Sequence, residues 1–151
     1  MGASDIIRKK IRDAVATRMA LINGTGGYYT TIGNHITIKK TNPYGSNKVD
    51  GIDICDESET QSLVTEAEEL EDRALLITGK IALKQTDPDK VLEAIADFEK
   101  AVNVDPTWGG LATRTVPLGN DDEVDQEENI FRGVNIRIRI EYTTRAFNSE
   151  S

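Results

Sequence analysis

Few residues of this chain could do covalent or acid–base chemistry. There is one cysteine, Cys55, and one histidine, His35. A cysteine nucleophile needs a base to take its proton, and His35 is the sole imidazole. No carboxylate or nucleophile stands at a spacing that places a partner beside it. Asp53 and Asp56 lie near Cys55 in sequence, and neighbouring carboxylates raise a thiol pKa and reduce its thiolate content. His35 opens an alternating segment and reads as a structural residue. One cysteine excludes an internal disulfide framework and any CxxC redox or zinc pair, and one histidine excludes a multi-histidine metal site. Cysteine usage of this kind fits an intracellular or virion setting.

Three further clusters invite a binding role. Asn23-Gly24-Thr25-Gly26-Gly27 is rich in glycine. A phosphate-cradling loop needs its glycines between a strand and a helix, so that helix N–H groups point at the anion. Here a helical pattern comes first and a strand pattern after, with no lysine in the P-loop position, so the segment reads as a helix C-cap and turn. The acidic runs Asp56–Glu59 and Asp121–Glu128 have the charge to attract calcium or magnesium. The second lacks the alternate-residue ligand ladder and central glycine of an EF-hand loop. Both read as solvated acidic loops, which would also keep a polyanion from sticking to a channel wall. Arg137 and Arg139, with Arg132 and Arg145 nearby, place positive charge along one segment. They suit a contact with a neighbouring subunit's acidic loop or a DNA path, and equally the polar face of an ordinary amphipathic strand. No catalytic, cofactor or metal site emerges. The candidate subunit-interface or lumen residues are Arg137, Arg139, Arg132, Asp121, Asp122 and Glu123.

The whole chain limits what these residues can serve. Its 151 residues and 38% hydrophobic content allow one core and exclude a large multidomain enzyme. No run approaches the ~20 apolar residues of a membrane span. The first residues, Met1-Gly2-Ala3-Ser4-Asp5, carry no apolar stretch of a secretory signal. The formal net charge is −8. Phosphate neutralisation dominates nucleic-acid affinity, so such a protein can surround DNA without gripping it.

The elements that must position these residues follow from periodicity. Ile7, Ile11, Ala14, Val15, Met19 and Ile22 fall on one helix face, with Ser4 or Asp5 as N-cap and the Gly-rich turn as stop. Tyr28–Ile32 and His35–Lys40 read as two strands of a hairpin around Gly33-Asn34. Thr41–Asp50 has loop chemistry. Val49, Ile52 and Ile54 suggest a strand that ends in the acidic run, and Thr65–Asp72 is ambiguous. Ala74–Lys84 reads as a buried strand, with Gly79 marking a bulge or a close approach. Asp87-Pro88 announces a second helix carrying Val91, Leu92, Ile95, Phe98 and Val102, and Asp105-Pro106 ends it. Leu111–Leu118 reads as a strand and Gly119–Asn129 as a mobile acidic loop. Val134, Ile136, Ile138, Ile140 and Tyr142 alternate with polar residues in the clearest strand of the chain. Residues 146–151 read as a disordered tail. The sum is a single α+β domain over 1–151. It has two layers, with two main helices on one face of a mixed or antiparallel sheet whose other face is polar.

This order of elements resembles a known family. The amphipathic segment IIRKKIRDAVATRMALI leads into Gly-Tyr-Tyr-Thr-Thr-Ile-Gly. A polar stretch and an apolar strand follow, and then the Asp87-Pro88 helix with Ala94, Ile95, Phe98, Glu99 and Ala101. An acidic segment and a last strand ending Glu141-Tyr142-Thr143-Thr144 close it. Across about residues 5–145 the chain is similar to the tail terminator, or tail completion, proteins of tailed bacteriophages (minor tail protein U-like, or neck, proteins). The resemblance implies a structural, non-enzymatic virion protein without cofactor, made in the host cytoplasm. Such a protein forms a ring, typically a hexamer, on the head-proximal end of the tail tube. It stops tube polymerisation and offers a docking surface to the head connector or head-closure protein, and viral DNA passes through its lumen without sequence-specific binding. A tail tube or other neck subunit, an adaptor module of bacterial origin and a small α+β binding domain are the alternatives.

Overall fold

A computed structural model describes residues 6–39, 50–65, 70–84, 87–125 and 131–145. Helix α1 spans Ile7–Met19 and helix α2 Pro88–Val104. Five strands, β1 (Ile36–Ile38), β2 (Gly51–Thr65), β3 (Leu70–Leu83), β4 (Arg114–Asp125) and β5 (Phe131–Arg145), form one sheet in the order β1-β2-β3-β5-β4. β1 runs parallel to β2 and every other pairing is antiparallel. The fold is therefore α+β with a mixed sheet, as the periodicities suggest.

The α2 signals act where they stand. The Asp87 carboxylate accepts from the backbone N–H of Asp89 at 2.9 Å, and Pro88 occupies the first turn. The N-cap position of α1 is Ile6, which makes no side-chain cap; Ser4 and Asp5 lie outside the described residues. At the C-terminal end of α2, Arg18 of α1 donates to the carbonyls of Ala101 and Asp105, at 3.1 and 3.0 Å, and satisfies groups the helix leaves open. The same guanidinium lies 4.6 Å from the centroid of the Trp108 ring.

Both helices cover one face of the sheet. Ile54, Gly79 and Ile136 stand opposite one another across β2, β3 and β5. A Cβ on Gly79 would lie 2.6 Å from the Phe98 ring of α2, so the glycine lets the helix approach closely. Ile52, Leu75, Ile77, Ile81, Val134, Ile138 and Ile140 share that face and form one core with Ile7, Ile11, Val15, Met19, Val91, Ala94 and Phe98. α1 lies against β1 and β2, and α2 against β3 and β5. β4 sits at the edge beyond α2.

Four expectations change. Tyr28–Ile32 is not a strand, and no hairpin forms around Gly33-Asn34. The N–H groups of Tyr29 and Thr30 donate to the Asp97 carboxylate, and Ile32–Asn34 makes a 3₁₀ turn that leads into β1. The run Asp56–Glu59 is not a loop, because β2 continues through it to Thr65. The segment from Gly119 is not a mobile loop up to Asp125, since it extends β4 beside β5. Leu111–Thr113 precede β4 rather than belonging to it, and Leu111 and Ala112 close backbone bonds onto Trp108 and Thr107. The expected loop at 41–49, the sequence at 66–69 and the expected tail at 146–151 lie outside the described residues.

Candidate assembly surfaces

The acidic run of β2 turns inward. A register shift between Asp56 and Ser58 inserts one extra residue, and this bulge places both Asp56 and Glu59 on the helix face. With a period of two they would point to opposite sides. Asp56 is 4% exposed. Arg8 of α1 donates to it at 2.7 Å, and Arg12 and Lys39 stand 3.7 and 3.8 Å away. Glu59 meets Arg73 at 3.0 Å and Arg8 at 3.7 Å, and accepts from the Tyr142 hydroxyl. Burial and the Glu59 carboxylate together push the Tyr142 phenol well above its ordinary pKa. The cluster rivets α1 to the sheet. Its carboxylates are met by the chain's own cations, and among the described residues no group of three or more His, Cys, Asp or Glu side chains is arranged to hold a metal ion.

The opposite face of the sheet carries the β5 arginines. Arg137 pairs with Asp121 across to β4 at 3.1 Å. Arg139 and Arg114 converge on Glu141 at 2.9 and 2.6 Å. The Arg114 hydrogen bond is the main reason that the Glu141 carboxyl lies below its usual range, and Arg139 adds to it. Of the six candidate residues, then, the structure joins Arg137 to Asp121 directly and gives Arg139 a partner within β5. Arg132, Asp122 and Glu123 are placed by backbone register alone: Asp122 opposite Val134, Glu123 opposite Gly133 and Arg132 opposite Val124. The face is a lattice of paired charges, and part of it is buried. Asp53 is 2%, Thr78 0% and Asn135 6% exposed, and the Thr37 hydroxyl donates to Asp53 at 2.5 Å.

The single cysteine and histidine do not meet as a catalytic pair. His35 is exposed, and its carbonyl accepts from Ile52 N–H at 2.9 Å. Cys55 lies three residues beyond Ile52, about 10 Å along the strand at ~3.3 Å per residue. Burial pushes the Cys55 thiol pKa up; Lys80 opposes this, and Glu57 and Asp53 add to it. The Gly-rich segment is a turn, with Gly24, Gly26 and Gly27 at positive φ. None of these residues forms a nucleophile–base arrangement.

Two concavities lie near β4, besides one of about 180 Å³ lined by residues that include Tyr29, Thr30 and Leu83. One of about 190 Å³ lies between α2 and β4, floored by Phe98, Val102, Ile136 and Ile138 and walled by Pro117, with the exposed Glu99 beside it. It exists because β4 extends the sheet past the helix layer. The other, of about 330 Å³, is polar and lies where β4 starts short of the end of β5, lined by residues that include Gln61, Arg73, Glu141 and Tyr142. Neither holds a nucleophile or general base in a constellation that performs a reaction.

No protein family matches this chain in sequence, and no curated protein matches it.

One residue with a large structural role escaped the sequence reading. Asp97 lies on α2 and is 1% exposed. It accepts from Tyr29 N–H at 3.0 and 3.1 Å, and from Thr30 N–H and hydroxyl at 2.7 Å each. The signal was a carboxylate within the apolar stripe of α2, between Ala94 and Phe98, and buried carboxylates require partners.

Proposed function

We propose that this chain is a structural subunit of a phage tail, a tail terminator that closes into a ring on the tube end and presents a surface to the head connector. The observation that supports this most is shape. β2 and β5 have 15 residues each and β3 has 14. At about 3.3 Å per residue, each is roughly 50 Å long. The helices have 13 and 17 residues, roughly 20–25 Å at ~1.5 Å per residue. The β2–β3 hairpin, with the end of β5 beside it, therefore runs beyond the helix-covered core, and β4 flanks that core as the sheet edge. On this arm Thr60, Gln61 and Asp72 are exposed, and on the β4 edge Asn120 and Asp121. A long polar arm and a polar sheet edge suit contacts with neighbouring subunits, and a domain enclosing a substrate does not need them. The net charge of −8 favours a lumen through which DNA slides.

A second reading, a tail tube or other neck subunit, is favoured by the long strands themselves. Light scattering after size exclusion, with negative-stain imaging, separates the two. Closed rings with a central hole support the terminator, and filaments support the tube subunit. A monomer that purified tail tubes do not recruit to one end refutes both. In the same assay the double reversal Arg137→Glu with Arg139→Glu abolishes rings if the β5 arginines lie at the subunit contact. Unchanged rings would remove them from it.

A further inference from the structure

The molecule carries an exposed aromatic knob on one flank of α2 and an apolar hole on the other. Tyr29 is 67% exposed, yet its backbone is firmly held. The buried Asp97 carboxylate takes the N–H groups of Tyr29 and Thr30, and Lys100 braces the preceding turn, donating to the Gly26 carbonyl at 3.1 Å and lying 4.7 Å from the Tyr28 ring centroid. A rigidly presented aromatic loses little freedom on binding and is the kind of residue that dominates interfaces. The hole is the groove between α2 and β4. A dry cavity of about 150 Å³ accommodates benzene, so the ~190 Å³ here takes one phenol ring.

Helical geometry fixes the relation of the two. Asp97 faces the knob loop and Glu99 lines the groove, and two residues along a helix turn by ~200°. Knob and hole therefore point away from each other, and one chain cannot fill its own groove. A contact between two different surfaces of identical chains propagates head to tail, and closes when the rotation allows. The charges are compatible: Lys100 stands at the knob, and the groove carries the exposed Glu99 carboxylate and Arg137, whose charge Asp121 meets. Edge pairing of β4 is one competing way to join copies. Pro117, the register shift at Leu118 and Gly119 at φ 98° obstruct it.

We infer that Tyr29 of one copy seats in the α2–β4 groove of the next, and that this contact builds the ring. The inference rests on the ring-forming reading above and names its interface. Two variants test it without touching the core: Tyr29→Ala removes the knob, and Asn103→Trp, at an exposed α2 position lining the groove, obstructs the hole. Each is studied by sedimentation velocity over a concentration series, with thermal melting as the check on folding. Wild type assembles. Each variant alone is a folded monomer, its association weakened by about 30-fold or more, as for loss of an interface anchor. An equimolar mixture gives dimers and nothing larger, because Tyr29→Ala keeps an intact hole and Asn103→Trp an intact knob. If either variant forms wild-type rings, or the mixture stays monomeric, the contact is elsewhere and the ring reading survives. If wild type is a monomer at every concentration, the contact is overturned, and recruitment to tail tubes then decides the ring reading on its own.

Discussion

Replacing Asp97 by alanine should destabilise the fold more than any other single carboxylate removal outside the Asp56–Glu59 cluster. The carboxylate is 1% exposed and accepts from two backbone N–H groups and one hydroxyl. Hydrogen bonds to a charged group contribute about 1.5–3 kcal/mol each, and a buried donor left without a partner costs ~1–3 kcal/mol. Alanine also removes the cost of burying the charge, which offsets part of the loss. The expected net destabilisation is about 3 kcal/mol by that accounting. Asparagine keeps one carbonyl oxygen but turns an NH₂ towards the donors, so Asp97→Asn should fall about midway. Thr30→Val removes the hydroxyl bond alone and should cost about 1 kcal/mol. The double variant Asp97→Ala with Thr30→Val should be scarcely worse than Asp97→Ala, since both delete the same bond. Urea unfolding followed by emission of Trp108, the single tryptophan and 2% exposed, measures all of these. With a urea slope near ~2 kcal/mol/M, the Asp97→Ala midpoint falls by about 1.5 M. A loss under about 1 kcal/mol with unchanged slope, or additive losses in the double variant, would refute the view that Asp97 pins the loop.

Two glycines should rank by what resists them. In Gly33→Ala the new Cβ meets the backbone carbonyls of Met19 and Ile22, the latter at 2.7 Å, whereas in Gly79→Ala it meets the Phe98 ring, which can shift. Melting should show Gly79→Ala costing about 1–3 kcal/mol and Gly33→Ala more. Arg18→Leu strips the C-terminus of α2 of its two donors and Trp108 of its cation. It should cost about 2 kcal/mol and alter Trp108 emission, and unchanged emission and midpoint would contradict the capping role. Asp105 accepts from the Thr107 hydroxyl and from the N–H groups of Gly109 and Thr107, and these bonds hold its pKa at about 2. A carboxyl depressed in the folded state stabilises above its unfolded pKa, near 3.8, and that contribution is lost as pH falls through the folded value. Asp105→Asn should flatten the stability profile between about pH 4 and 2. An NMR titration of the wild-type carboxyl ending near 3.8 would remove the basis for this.

Much of the architecture was legible locally. The spacing of Ile7, Ile11, Val15 and Met19, the Asp87-Pro88 start of α2 and the alternation from Val134 to Tyr142 are properties of neighbouring residues, and 3.6- and 2-residue periods survive in any tertiary setting that buries one face. They determine two helices and a two-faced strand, and hence a two-layer α+β domain. Gly79 belongs with them, since a lone glycine in an apolar strand signals close approach, here of the Phe98 ring. What the tertiary structure decided depends on partners distant in the chain. Tyr28–Ile32 has strand composition, but Asp97, 68 residues from Tyr29, takes its N–H groups before a ladder can. Asp56 and Glu59 look like solvent-facing charges until a one-residue bulge turns both towards Arg8 and Arg73. The acidic segment after Gly119 looks like a loop until β5 supplies it with a strand to pair with. A charge or an unpaired N–H states its need in the sequence but not who meets it, because burial and pairing are set by the fold as a whole. The α2–β4 groove has the same origin: a strand one place beyond the reach of the helix layer, which no local pattern records.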